Sequence, residues 1–398
     1  MPPSVAALFK RHFAHAPPHI VQAPGRLELI GNHTDYNQGL VMALAVDKFI
    51  QFAATPRPDG KVRLVSGAFT QPEEFFVSDL RKNPAAPWAD YVKGVIEQLR
   101  RRGACVGGFN AAIEGTIPMG AGMSSSAALE VATALAIRRM YPFALREGAL
   151  IEPPKLNPHG ELPALDAKQR MELARLCQAA ENEFVGVKCG LLDQASSLFG
   201  KAHHAIEMDF KFLTVEYEPM FGDIAIVVCN SGVKHELTGG EYNELRALCE
   251  SAAKKFGAKF LRSVDPKDLG AGRGKLTERE FQCAQHIVGE IQRVVHGAKA
   301  LRGGDFAQFG QFMFQSHESS RDLFQNSTKE LDLLVGIARA HPACLGARLT
   351  GGGFGGATIN LVKRDGVSLF SKAMAQQYKE RSGVAMTPLV CQIVDGAA

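Results

Sequence analysis

The chain has 398 residues, 46% of them hydrophobic and 22% charged, with a formal net charge of +4. That length exceeds what one hydrophobic core organises and predicts two domains with a cleft between them, while the small net charge argues against nucleic acid as a partner, so that basic clusters such as Arg100 to Arg102 read as solvated helix faces. No apolar run reaches membrane-spanning length, the first 18 residues lack a signal-peptide core, and eight cysteines without CxxC spacing read as reduced, mostly buried thiols, which together predict a cytoplasmic location.

Residues 4–13 predict a short helix. The segment 24–39, PGRLELIGNHTDYNQG, sets an arginine, a histidine, carboxylates and asparagines among glycines where a core segment would carry apolar side chains, and so reads as a holder for a polar ligand. LVMALAVDKFIQFAATP, VRLVSG and EEFFVS have strand character. Apolar residues at 91, 92, 95, 96 and 99 predict a helix ending at Gly103, and FNAAIEGTIP predicts a strand stopping at Pro118. LEVATALAIRRM is apolar on more than one face and predicts a buried helix. The proline-rich stretch 141–165 reads as a surface excursion. Asp166 is placed to cap a helix through AKQRMELARLCQAAENEF, with Glu181 near its far end. AIEMDF, TVEYEP and the buried DIAIVVCN predict strands, and a domain boundary is expected there, dividing the chain into 1–210 and 211–398. Helices are predicted over 239–256, 277–302, 304–316 and 328–341, then a glycine run between two strand-like pieces, a final helix VSLFSKAMAQQYKERSG, and the apolar TPLVCQIVDG.

Three glycine-rich loops invite a phosphate reading, and two fail it. Gly351, Gly353 and Gly356 satisfy GxGxxG, but ATINLV after them is strand-like, whereas a dinucleotide fingerprint needs a helix there. GAGRGKL at 270–276 has leucine at 269 and at 276, where a P-loop needs glycine and a hydroxyl. The loop PMGAGMSSSA at 118–127 is stronger. Small residues let backbone N–H groups approach an anion, the following helix offers its N-terminus, and the serines add donors and a magnesium ligand; a plain serine N-cap is the competing reading. Asp193 is suited to orienting or deprotonating a hydroxyl, or to capping a helix. Glu181 reads as a second carboxylate for a metal or as a surface charge.

GRLELIGNHTDYNQG, PMGAGMSSSAALEVA and LTGGGFGGATINL, in this order and spacing, resemble the GHMP small-molecule kinases and, within them, the galactokinases; PWADYVKGV, ENEFVGVKCGLLDQ, CNSGVKHELTGGEYNELR and QSHESSRDLFQNSTKELDLLV extend the resemblance over nearly the whole chain. The resemblance implies an α+β two-domain fold with the active site between the domains. It also implies a monomeric ATP- and Mg2+-dependent enzyme that phosphorylates the C1 hydroxyl of galactose. Asp193 would face that hydroxyl, with Arg26 beside it and beside the transferring phosphoryl group. Ser126 and Glu181 are implied as magnesium ligands. Gly120, Ala121, Gly122, Met123, Ser124, Ser125 and Ser126 would cradle the triphosphate, and Trp88 and Tyr91 would lie near the adenine. Asn32, His33, Asp35, Gly190 and Tyr242 are implied on the sugar.

The departure from the resembled pattern is GNHTDY in place of GEHTDY, with Glu28 where asparagine is usual. The implied glutamate approaches the C6 hydroxyl, so an amide at position 32 leaves two readings open. Either Asn32 accepts that hydroxyl through its carbonyl, or the pocket has been re-tuned to another sugar, such as a uronic acid whose carboxylate a protonated His33 would support. A sugar sensor without catalysis is a third, set against the retained Arg26, Ser126, Glu181 and Asp193.

Overall fold

The computed structural model describes residues 4–118, 120–146, 148, 151–157, 161–234 and 240–397. Residue 119 of the serine loop, parts of the 141–165 excursion and residue 239 at the start of a predicted helix lie outside them. Helix α1 (Val5–Phe13) is followed by β1 (His19–Ile30), β2 (Leu40–Arg57), β3 (Lys61–Ser66), β4 (Glu73–Phe76), α2 (Ala89–Arg101), β5 (Gly108–Gly115), α3 (Ser125–Met140), the two-residue strands β6 (Ala144–Leu145) and β7 (Ile151–Glu152), α4 (Ala167–Ala179), α5 (Leu192–Phe199), β8 (His204–Asp209) and β9 (Thr214–Pro219). Then come β10 (Ile224–Lys234), α6 (Gly240–Lys255), α7 (Pro266–Ala271), α8 (Glu278–Arg302), α9 (Phe306–Ser319), α10 (Lys329–Ala340), β11 (Cys344–Thr350), β12 (Gly355–Lys363), α11 (Val367–Ser382) and β13 (Leu389–Cys391).

Two main sheets organise these elements. The first runs β4-β3-β5-β2-β8-β9 with β1 paired to β2, and the second runs β11-β12-β10-β13. The strand pair β8–β9 straddles residue 210, so the chain passes from the first sheet to the second between Pro219 and Ile224. The end of the chain then returns to the first sheet, where Val46 bridges Ile393 and the Gly396 N–H donates to Gly200 O. One apolar cluster runs from β1 and β2 through α3 into α8, and a smaller one lies between the second sheet, α10 and α11.

Local sequence explains most of this. Every residue of α3 from Ala127 to Arg138 is buried, which is why apolar residues encircle it. Asp166 caps α4 with Gln169 completing a capping box, and Thr277 with Glu280 does the same for α8. The 351–354 turn joins β11 to β12 as antiparallel neighbours, and no helix follows the glycines. β1 is the strand that periodicity misses: Arg26 and Glu28 occupy positions where a buried strand would carry apolar residues. α4 and α9 each run on into a π-helical turn, Ala180–Val185 and Ser320–Phe324. All eight cysteines are unpaired thiols, five of them buried. Among the described residues no helix is long and apolar enough to cross a membrane.

Candidate active site

A cavity of about 500 Å³ opens where β1, the 186–193 segment, α6 and the 351–352 turn meet. That volume suits a small polar molecule. Arg26 and Asp193 stand at one end of it. The Arg26 Nε donates to Asp193 Oδ1 at 2.8 Å, its Nη1 donates to Gly122 O, and its backbone N–H reaches Met123 O, so β1, the serine loop and α5 are tied together at one guanidinium. Asp193 lies in the first turn of α5, and its second oxygen accepts from the Ser124 hydroxyl.

The serine run is therefore not a helix cap. Ser124 has φ +52° and makes no capping bond to α3; its hydroxyl goes to Asp193 instead. Ala128 is the first residue whose N–H bonds back to Ser124 O, which leaves the amides of Ser125, Ser126 and Ala127 at an N-terminus suited to an anion. Gly120 and Gly122, with φ +71° and +64°, allow the loop to turn beneath it. Trp88 stacks on Phe69 at 5.3 Å, and Tyr91 is half-buried on α2 with the charge of Glu181 nearby.

Behind Asp193 lies a carboxylate cluster that sequence reasoning saw only in part. Gln194 Nε2 donates to both Glu181 Oε2 and Glu130 Oε2 at 2.9 Å, while the buried Glu130 Oε1 has no partner among the described residues. Burial, then the charge of Asp193, pushes Glu181 up to about 7, and burial with Glu181 pushes Glu130 well above the usual range. Ser126 stands one turn before Glu130 on the same face of α3. Oxygen donors crowded in this way, with one valence unmet, fit a magnesium ion. Glu130 was missed because it falls inside the apolar run of α3.

The sugar-facing candidates divide into those that face the cavity freely and those that are spoken for. His33, at φ +60°, has Nε2 on Gly352 O and Nδ1 on the Tyr36 hydroxyl, each at 2.9 Å. A carbonyl only accepts, so Nε2 carries the proton, Nδ1 accepts, and the ring is neutral. Burial brings His33 down to about 4. It is not the cation that a uronic acid would need, and Glu28, whose carboxylate lines the cavity, opposes such a substrate further. Asn32 also lines the cavity, but its amide is wholly engaged by the protein. The ring of Tyr242, from α6, packs 5.0 Å from His33 and 5.7 Å from Tyr36.

Asp35 is half-buried in the cavity wall, and an added Cβ at Gly190 would lie 1.4 Å from its Oδ2. All the atoms it would overlap belong to the Asp35 carboxylate, so that side chain has to swing away to make room. Gly190→Ala is expected to displace Asp35 and raise the KM for the sugar by more than tenfold with an unchanged melting temperature; an unchanged KM would show that the two residues do not share one space.

Three buried groups from the second half of the chain complete the site, and no motif in the sequence assigned any of them a role. Glu290 of α8 accepts from the Gly31 and Asn32 amides at 2.8 Å each and from Ser316. Arg348 of β11 donates to Glu28 Oε1 at 2.7 Å. Asn326, just past the second π-helical turn, donates to Asn32 Oδ1 and Gly352 O. All are distant in sequence from the residues they hold, and only the fold brings them together.

The galactokinase galactose-binding signature matches residues 7–56, the GHMP kinase N-terminal domain residues 90–153 and the GHMP kinase C-terminal domain residues 298–380. A galactokinase of Chloroflexus aurantiacus is 40% identical over 390 residues, covering 97% of this chain and 94% of its own, and one of Roseiflexus sp. is 39% identical over 393 residues, covering 98% and 94%. The crystal structure of Lactococcus lactis galactokinase complexed with galactose superposes with a TM-score of 0.88 at 32% identity, covering 99% of this chain and 98% of that one. The chain belongs to the galactokinase family of the GHMP kinases.

Proposed function

We propose that the protein transfers the γ-phosphoryl group of ATP to the C1 hydroxyl of galactose, giving galactose 1-phosphate and ADP. The observation that carries this reading is the Arg26–Asp193 pair, placed between a helix N-terminus suited to phosphates and a cavity whose lining includes Glu28, Asp35 and Tyr242, groups suited to a sugar. Asp193 orients the C1 hydroxyl and takes its proton as the bond to phosphorus forms. Because the phosphoryl transition state is loose, positioning and charge neutralisation matter more than a strong base. Arg26 meets the negative charge on the transferring phosphoryl oxygens. The amides of Gly122 to Ser126 hold the triphosphate in line with the acceptor, and Trp88 and Tyr91 border the adenine.

Ser126 and Glu181 would hold Mg2+, which neutralises phosphate charge when bound. Asp35 and the Gly190 backbone hold ring hydroxyls, and Tyr242 closes the pocket. Incubation with ATP, Mg2+ and galactose, followed by phosphorus NMR, should show an anomeric phosphate and ADP in equal amounts. Binding of ATP and galactose without that product would leave a sugar sensor instead.

One limb of the pH dependence follows from Asp35. Burial raises it to about 6, against a backbone hydrogen bond from Tyr36 and with help from the charges of Asp193 and Glu28. As an acceptor it must be ionised, so kcat/KM for galactose should fall as pH drops through about 6. His33 stays neutral across this window and does not contribute. Asp35→Asn should abolish that limb at a lower plateau; an unaltered limb would assign it elsewhere.

A further inference from the structure

Asn32 has no hydrogen-bonding capacity left for a ligand. Its Nδ2 donates to Glu28 Oε1 at 2.9 Å and to Gly351 O at 2.8 Å, while its Oδ1 accepts from Asn326 Nδ2 at 2.9 Å and from Ser320 Oγ at 3.4 Å. Two donors and two lone pairs exhaust an amide, and the side chain is fully buried. Glu28 is different. It lines the same cavity, and its Oε1 takes both the Asn32 amide and the Arg348 guanidinium. Its Oε2 receives no donor among the described residues and, unlike Glu130 Oε1, is not sealed away. Arg348, itself fully buried, has Glu28 as its one ion-pair partner among those residues, which fixes where the carboxylate sits.

The strand gives the direction. Arg26 and Glu28 pair with Ala45 and Ala43 in unbroken register, so their side chains leave the same face of β1 about 7 Å apart at the usual rise per residue. Arg26 marks the end of the cavity where the C1 hydroxyl reacts. Glu28 therefore stands at the other end of a pyranose, where the C4 and C6 hydroxyls lie.

We propose that Glu28 is the specificity-determining carboxylate of the sugar pocket, its Oε2 accepting a hydroxyl remote from C1, with Asn32 and Arg348 as positioning residues that act through it. This rests on reading the cavity as a galactose site. Galactose, 4-deoxygalactose and 6-deoxygalactose are to be compared by calorimetry and by turnover on the wild type, Glu28→Gln and Glu28→Asp. Glu28→Gln should weaken galactose binding at least about tenfold, the range of a charge-assisted hydrogen bond, while weakening one of the deoxy sugars by less than about threefold. Glu28→Asp keeps a partner for Arg348 while withdrawing the carboxylate by one methylene, and should show the same selectivity even if Glu28→Gln does not fold. Equal losses on all three sugars in the folded variants, or none, would overturn the proposal. A wild type that binds galactose without turning it over overturns the kinase reading but leaves the Glu28 comparison intact; one that does not bind galactose overturns both.

Discussion

Replacing Arg26 or Asp193 with alanine is expected to lower kcat by about 10³-fold, the scale set by loss of a positioned base or of a charge-stabilising donor. The two losses should not multiply. The guanidinium that meets the phosphoryl group is the same one that fixes Asp193, through a 2.8 Å contact at side chains that are 8% and 25% exposed. Among the described residues, without Asp193 the guanidinium keeps only its tie to Gly122, and without Arg26 the carboxylate keeps only Ser124. The double variant should thus be close to the worse single variant, as for groups that act as a unit. Arg26→Lys should recover little, because an ammonium cannot hold Asp193 and Gly122 from a fixed planar fork. Steady-state kinetics with melting curves on the three alanine variants checks this. Multiplicative losses would mean that the residues act independently.

Glu290→Ala is expected to cost about 3–5 kcal/mol of stability, the range for removing one partner of a buried charge network. Truncation leaves the Gly31 and Asn32 amides and the Ser316 hydroxyl without an acceptor and Arg293 without its carboxylate. The segment that carries His33 and Asp35 hangs from those two amides, so the galactose KM should rise together with the loss of stability. Burial works against ionisation of Glu290, but Arg293, His286 and Arg348 overcome it and bring the group down to about 2. A depressed carboxylate stabilises the fold fully above its ordinary value near 4.5 and loses that contribution as pH falls toward 2. Wild type and Glu290→Ala should therefore differ most in melting temperature above pH 5 and converge at low pH. A constant difference across that range would remove the charge from the explanation.

How far the sequence could be read depended on where the partners lay. Elements with a local signature were legible: Asp166 and Gln169 announce α4, and the apolar periodicity of 91–99 announces α2. Arg26, Asp35 and Asp193 also stood out, because polar residues between glycines have no use in a core. Glu28 and Asn32 were legible as a departure but not as a pair, since their contact depends on the curl of β1 into the turn at Gly31. Glu290, Arg348 and Asn326 were illegible for a different reason. Glu290 lies in the amphipathic helix α8, Arg348 in the buried strand β11 and Asn326 in the loop after the second π-helical turn, and the use of each is defined by a residue some 260 to 320 positions away. Ser124 shows the converse case. Its place in a serine run suggested phosphate, yet a left-handed backbone turns its hydroxyl onto Asp193.

A π-helical turn holds one residue more than an α-helical turn, so everything beyond it is rotated by about 100° relative to the helix that enters it. The turn at Ala180–Val185 lets α4 keep its packing against α2 and α3 while Glu181 faces the carboxylate cluster, and the turn at Ser320–Phe324 aims Phe324 and Asn326 at His33 and Asn32. The scaffold and the site are thereby set in phase by residue count rather than by side-chain identity. Both walls of the cleft are tuned like the teeth of a gear, one position at a time, and the natural unit of change at these two places is an inserted or deleted residue.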